Sequence, residues 1–568
     1  MGATLATFAS LPPRGAETPP RPNWDDVSVV PPAVILVMAD AFTTDLEAMT
    51  SISESLNPTA GQPDLGVYMS APAPTSDRLR PMLRSALQSI VGDENFLDDS
   101  GTRNEYSKST LPKSTYSAAI VRPKSAEQVQ QIVRKLGEFG VQWHCFSRGK
   151  NWGYGDRCAA TDGQVLIDLG RMNRIVEINE ELAYAVIEPG VSQGELAGEL
   201  LKRGSRLMLD VTGAGPDASI VGNILQRGFG HTPYGDRFSQ SCNYQVVLPN
   251  GDVTHTGFGD IDASPVGHVY PYGLGPNVQG MMPQSKNGIV TRMTIWLMPR
   301  PEAIDGFGFK TDDDATFSQI VDCIGRLRQA GVIDSVVHLA NDLRVASSQP
   351  IMQSIQSGDG PLTAEQRQHI RKELKIERWN GLGGLYGPRY LVDAKRDEIK
   401  RTLGKYCKVR FFKQWQVNLL KTAAEKAPDW RIANRFKNFV HTISDVNDLL
   451  CGVPNSNHLE GAFYRNRPES GEVTDAGLIW TAPVIPCRGD DALTLVKTME
   501  PIANQYGFDL PITISPVVPR AAVCITNISF DKRSKSQAAN ATDCHMQLKQ
   551  AIGEKGYPSY RASIVAKR

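Results

Sequence analysis

The chain has 568 residues, more than one hydrophobic core accommodates, so two or more domains are expected. Lys plus Arg and Asp plus Glu number 61 each, a balance that argues against a general nucleic-acid binder, whose affinity rests on excess positive charge. Nine cysteines with no CxxC pair and no zinc-ligand spacing argue against a disulfide scaffold or structural metal, and leave reduced thiols in an intracellular protein.

Residues 1–77 are rich in Pro, Ser, Thr and Ala, and Pro12-Pro13, Pro19-Pro20 and Pro31-Pro32 break any periodicity, so an irregular or disordered extension is expected. The apolar run 33–39 is too short to cross a bilayer and lacks a secretory flank, so a soluble, cytoplasmic protein without a membrane partner is expected. Residues 117–121 read as a strand closed by Pro123. Ser125 then caps a helix with Gln128 as its capping-box partner; Val129, Ile132, Val133, Leu136 and Phe139 form the apolar face, and Gly140 suits the stop. Strands are expected at 165–169 and 183–187, a helix at 195–201, a strand at 244–248 before the turn Asn250-Gly251, and a strand at 288–297. From about 301 to 525, charged helices such as 363–377 alternate with apolar segments, as in a second α+β domain. A last helix is expected over 534–553.

The most informative stretch is RGKNWGYG at 148–155. Three glycines bring backbone N–H groups close to a ligand and permit an anion-binding nest, with Arg148 and Lys150 placed to add charge opposite a pyrophosphate. Alone, such a loop is as often a tight turn with solvated charges. It is not GxGxxG and no strand-loop-helix unit surrounds it, which disfavours an NAD-binding domain. The glycine-rich run 381–387 follows a helix, lacks basic residues and reads as structural.

Further small-residue loops follow: EPGV at 188–191, VGN at 221–223, RGFGHTPYGD at 227–236, PYGLGP at 271–276, NGIVT at 287–291 and IWLMP at 295–299. With RWNGLGGLYGP at 378–388 and GLIWTAPV at 477–484, this ordered set resembles the vanillyl-alcohol oxidase / p-cresol methylhydroxylase family over about 78–561. The resemblance implies a two-lobed α+β fold: an FAD-binding domain of the p-cresol methylhydroxylase type over 78–300, a substrate cap over 301–525, and a return segment over 526–568. It implies FAD held by Arg148, Gly149, Lys150, Asn151, Gly153, Tyr154, Gly155, Glu188, Pro189, Gly222, Asn223, Thr232, Tyr234, Gly288, Ile289, Val290 and Tyr464.

It also implies oxidation of para-substituted phenols at the benzylic carbon. A phenolate pushes electrons through its ring, a hydride leaves to flavin N5, and a quinone methide results. A free phenol ionises only near pH 10, so the site must stabilise the anion. By motif the family's two tyrosines and arginine fall on Tyr154, Tyr560 and Arg561, two donors and a permanent charge. Other readings are a sugar or hydroxy-acid oxidase of the wider superfamily, or a non-catalytic homologue. Oxygen or a cytochrome c is the implied electron acceptor, and dimers or larger assemblies are the family tendency.

The chain departs from the family in several places. Leu478 stands where the oxidase branch has its flavin-linking histidine, whereas Tyr464, four residues after Glu460, matches the tyrosyl-linking branch. Tyr464 is thus the candidate for a covalent link, against a non-covalent flavin, and Glu460 is a candidate pocket residue. The aspartate near flavin N5 falls at Gly213, leaving Asp210 the candidate, Asp217 the alternative, or no such acid. His231 replaces a tyrosine. Family members continue past the Tyr-Arg pair with a further segment of the FAD domain, so this site is expected to lack part of its wall or the sequence to be cut short.

Overall fold

A computed structural model describes residues 79–261, 264–349, 351–354, 360–426, 431–464, 466 and 475–564; the extension expected over 1–77 lies outside these. The first lobe opens with a four-stranded sheet in the order Phe96–Leu97, Ala119–Val121, Val165–Asp168 and Trp143–Phe146. The last three strands are parallel, which requires a crossover, and helix Ala126–Glu138 supplies it. Ser125 accepts from the Gln128 N–H, and Val129, Ile132, Val133 and Leu136 are buried, as the pattern predicts. The box closes differently, however: the Gln128 side chain accepts from the Lys124 N–H rather than the Ser125 N–H.

A five-stranded antiparallel sheet follows, ordered Ile175–Asn179, Tyr184–Ile187, Ile289–Trp296, Ser241–Val247 and Val253–His255. Helix Gln193–Lys202, closed by a Ser192/Glu195 capping box, covers a core that includes Ile187, Leu196, Val211, Tyr244 and Met293. The glycine loop leaves the carboxyl end of the parallel strand Trp143–Phe146, where open α/β sheets place ligands.

The second lobe is one large antiparallel sheet, running Arg410–Lys413, Ala303–Thr311, Trp379–Gly387, His338–Asn341, Ile512–Val518, Ala521–Asp531 and Ala476–Thr481, with Val484–Pro486 also paired to Ala521–Asp531. Phe307, Phe317, Trp379 and Phe530 anchor its core beneath helices Asp314–Gln329, Gly489–Gln505 and Lys535–Glu554. The run 381–387, read from the sequence as structural, is a strand of this sheet.

The stretch 526–568, expected as a return segment, begins within the large sheet. Strand Ala521–Asp531 sits inside the cap sheet, and helix Lys535–Glu554 packs on it through buried Ala541, Cys544, Leu548 and Ile552. Lys532 Nζ donates to the first-lobe Ser109 carbonyl, and the segment after Tyr557 runs along the cap edge before reaching the glycine loop. There the Val484 N–H donates to the Pro558 carbonyl, the Tyr560 N–H to Ala482, and the Ile564 N–H to Tyr154. All nine cysteines are free thiols. Among the described residues no helix is long and apolar enough to cross a membrane.

Candidate active site

A cavity of about 640 Å³ is lined by both lobes, within the range of ligand sites. On the first-lobe side its wall is residues 147–152 and 154–156, Pro189, residues 221–223 and residues 288–290; on the cap side it is His338, Ala340, residues 344–345, 347–349, 380–382 and 457–459, Ala462, Thr513 and Ser515. The glycine loop is pinned from below. Asp156 accepts from the Thr110 N–H and hydroxyl, and the Thr110 hydroxyl accepts from the Gly153 N–H at 2.7 Å. Burial raises the Asp156 carboxyl to about 7, against the bonds from Thr110 and the charge of Lys532. Gly153 has φ 75°, and a Cβ on it would fall 2.2 Å from the Trp480 ring, so both conformation and space demand glycine.

The loop delivers Tyr154, 5% exposed, to the C-terminal segment. The Arg561 guanidinium carbon lies 3.9 Å from the Tyr154 ring centroid, and Arg561 Nη2 donates to Asn151 Oδ1 at 2.8 Å. Gln284 clamps the adjacent backbone, donating to the Tyr560 carbonyl and accepting from the Ala562 N–H. Burial raises the Tyr154 phenol above its ordinary range. It raises Tyr560 as well, where the charge and hydrogen bond of Arg561 pull back. Both tyrosines therefore stay protonated at neutral pH and act as donors. Tyr154, Tyr560 and Arg561 are brought together.

Of the expected cofactor residues, Arg148, Gly149, Lys150, Asn151, Tyr154, Gly155, Pro189, Gly222, Asn223, Gly288, Ile289 and Val290 line the cavity. Gly153 shapes the loop without lining it. Arg148 donates to the Gly190 carbonyl and lies 3.6 Å from Glu195 and 3.8 Å from Asp217, which holds it in place. Glu188, Thr232 and Tyr234 fall outside the lining. Glu188 takes three hydrogen bonds from Arg174 instead, and the Thr232 hydroxyl donates to Asp210.

Three expected residues are placed elsewhere. Asp210 is buried outside the lining; its carboxylate accepts from the His231 and Thr232 N–H groups and lies 3.6 Å from buried Arg237. It braces the loop that carries His231 rather than facing the cavity. Glu460 is exposed, because its helix Asn457–Ala462 turns the other way and presents His458 to the cavity. Tyr464 is buried outside the lining among Leu343, Ala346, Met352 and Ile370, and its hydroxyl donates to Asp509 at 3.0 Å. Asp217 is exposed beside Arg148.

Sequence reasoning missed Arg344, His338 and His458, which also line the cavity. They are single residues on separate elements, with no motif to mark them. The cavity carries more positive than negative side chains: Arg148, Lys150, Lys286, Arg344 and Arg561 against Asp156 and Asp445. An elongated, anionic flavin dinucleotide fits this charge and volume, and Arg561 keeps a buried Nε without a partner.

The family described as FAD binding domain matches residues 117–257. The chain is similar to 1'-carboxy-chondrochloren decarboxylase from Chondromyces crocatus, 32% identical over 84% of this chain and 90% of that protein. It is similar to the flavoprotein subunit of 4-cresol dehydrogenase (hydroxylating) from Pseudomonas putida, 29% identical over 84% and 87%. Its fold matches a 4-ethylphenol oxidase from Gulosibacter chungangensis solved with isoeugenol, with a TM-score of 0.77, 30% identity, and coverage of 85% and 89%.

Proposed function

Because the chain belongs to the vanillyl-alcohol oxidase / p-cresol methylhydroxylase family of FAD-dependent oxidoreductases, we propose that it oxidises the benzylic carbon of para-substituted phenols. The carrying observation is the guanidinium of Arg561, held on the Tyr154 ring at 3.9 Å and oriented by Asn151. Tyr154 and Tyr560 donate hydrogen bonds to the phenolate oxygen and Arg561 supplies the opposing charge, so the phenol binds ionised near neutral pH. Arg148, Asn151, Pro189, Gly222, Asn223 and residues 288–290 hold the cofactor along the first lobe. FAD bound there supplies a hydride acceptor at N5. Loss of hydride from the benzylic carbon, driven by the phenolate, leaves a quinone methide that water attacks.

The flavin is held without a covalent bond, since the Tyr464 hydroxyl is committed to Asp509 outside the cavity lining. Asp210 acts as a positioning residue through the His231 loop.

The identity to a decarboxylase favours a second reading for substrates with a carboxylate on the carbon next to the benzylic one. Loss of CO2 from that quinone methide leaves its bonding pair as an alkene and restores the phenolate.

Anaerobic addition of 4-cresol or 4-ethylphenol to the purified flavoprotein tests the phenol reading. Bleaching of the visible flavin band is expected; bleaching by glycolate but by neither phenol would sink it. Acid precipitation should leave the flavin in the supernatant, and yellow precipitate would overturn the non-covalent assignment. Oxygen uptake against cytochrome c reduction in the same assay identifies the acceptor.

A further inference from the structure

Part of the cavity wall lies on elements other than those that carry Tyr154, Tyr560 and Arg561. Four side chains from four elements line it: His231 from the loop 226–236, His338 from strand His338–Asn341, Arg344 from helix Asp342–Ala346, and His458 from helix Asn457–Ala462. The His231 ring lies 4.5 Å from that of His338 and 6.2 Å from that of His458, centre to centre. Gly213 makes the room, because a Cβ there would sit 3.0 Å from His458 Cβ.

Each member keeps a polar atom without a protein partner: His231 Nδ1, His338 Nε2, His458 Nε2 and Arg344 Nε are all buried and unbonded. One such atom costs about 1–3 kcal/mol, so four on side chains that line one cavity point to a ligand. Its sign follows from Arg344. That guanidinium donates to Asn527 Oδ1 at 3.2 Å and lies 5.6 Å from the Trp480 ring, and among the described residues no carboxylate pairs with it. Asp156 is held by Thr110, and Asp445 has partners of its own. A charge in the interior without a counter-ion is costly, and a bound anion removes that cost.

The histidines set the size of the anion. Burial, reinforced by the neighbouring imidazoles and arginines, lowers His338 to about 3, His458 to about 4, and His231 well below its ordinary value. They are neutral, so Arg344, whose charge acts on His458, is the one positive charge among these four side chains. Ser515 bonds His338 Nδ1 at 2.9 Å and fixes that ring. A single guanidinium with neutral donors suits a planar monoanion, and a carboxylate fits it with two N–H bonds.

We propose that Arg344, with His231, His338 and His458 lining the same cavity, is a carboxylate-recognition subsite, and that the para side chain of the phenol substrate carries that carboxylate. This rests on the phenol reading above. It names the substrate class as 4-hydroxyphenyl alkanoic acids.

The test compares acids with their uncharged isosteres on the holoenzyme. 4-Hydroxybenzoate, 4-hydroxyphenylacetate and 3-(4-hydroxyphenyl)propanoate are each titrated beside the matching primary amide, with flavin absorbance as the binding readout. For at least one chain length the acid is expected to bind about tenfold or more tighter than its amide, a preference that Arg344→Met abolishes and Arg344→Lys partly keeps. The wild-type comparison stands even where a variant fails to fold. Equal binding of acid and amide at all three lengths overturns the subsite while leaving phenol oxidation by 4-cresol intact. A flavin midpoint potential shifted by Arg344→Met, with the acid preference unchanged, assigns the charge to the flavin and also overturns it. No response to any phenol overturns the subsite and the phenol reading together.

Discussion

Replacing Arg561 with Leu removes the positive charge proposed to hold the phenolate. The guanidinium stacks 3.9 Å from the Tyr154 ring centroid, and a phenolate bonded to it would stand at a charge separation of about 4 Å. At an effective dielectric of about 20, that separation is worth about 4 kcal/mol. Lost from the ionised form, it lowers kcat/KM for 4-ethylphenol at pH 7 by roughly a thousandfold. The pH profile should change as well. In the wild type the bound phenol ionises near neutrality, so the rate flattens early; in the variant it should climb with pH toward about 10, the value of a free phenol. Anaerobic stopped-flow reduction of the flavin measures both. A rate within tenfold of wild type at pH 7, with an unchanged pH profile, would refute the phenolate assignment.

Asp156 makes stability depend on pH. Its folded carboxyl titrates near 7 against 3.8 unfolded, so the contribution is full below 3.8 and lost as pH rises through about 7. Asp156→Asn should remove that loss, melting progressively higher than wild type between about pH 4 and 7, by the equivalent of up to about 4 kcal/mol; parallel melting curves would contradict this. Gly153→Ala combines a positive φ with a clash against Trp480 and should cost about 2–4 kcal/mol together with flavin retention, read by thermal unfolding and bound absorbance. Asp210→Ala strands buried Arg237 and should cost about 3–5 kcal/mol in denaturant unfolding. If Asp210 only positions the loop, Asp210→Asn should still reduce with phenol in the flavin-loaded fraction.

Much of this protein was legible in local pattern. The helix capped by Ser125, the glycine loop at 148–155 and the Tyr560-Arg561 pair follow from backbone sterics, period-3.6 burial and motif order, which act over a few residues. Tyr154 and Arg561 were expected to meet only because the family order links them; their contact joins two ends of the chain. The same short-range rules were silent or misleading where tertiary packing chose the direction of a side chain. On helix Asn457–Ala462, adjacent registers separate exposed Glu460 from cavity-facing His458, and a single motif match does not distinguish them. Tyr464 at φ 52° turns into a cap cluster with Asp509, and Asp210 turns back onto its own loop. The convergence of Arg344 with three histidines depends on the register of a sheet assembled from distant segments and on its packing against the first lobe. Those long-range terms lie outside any window of the sequence, and they decided which buried charge was left waiting for a ligand.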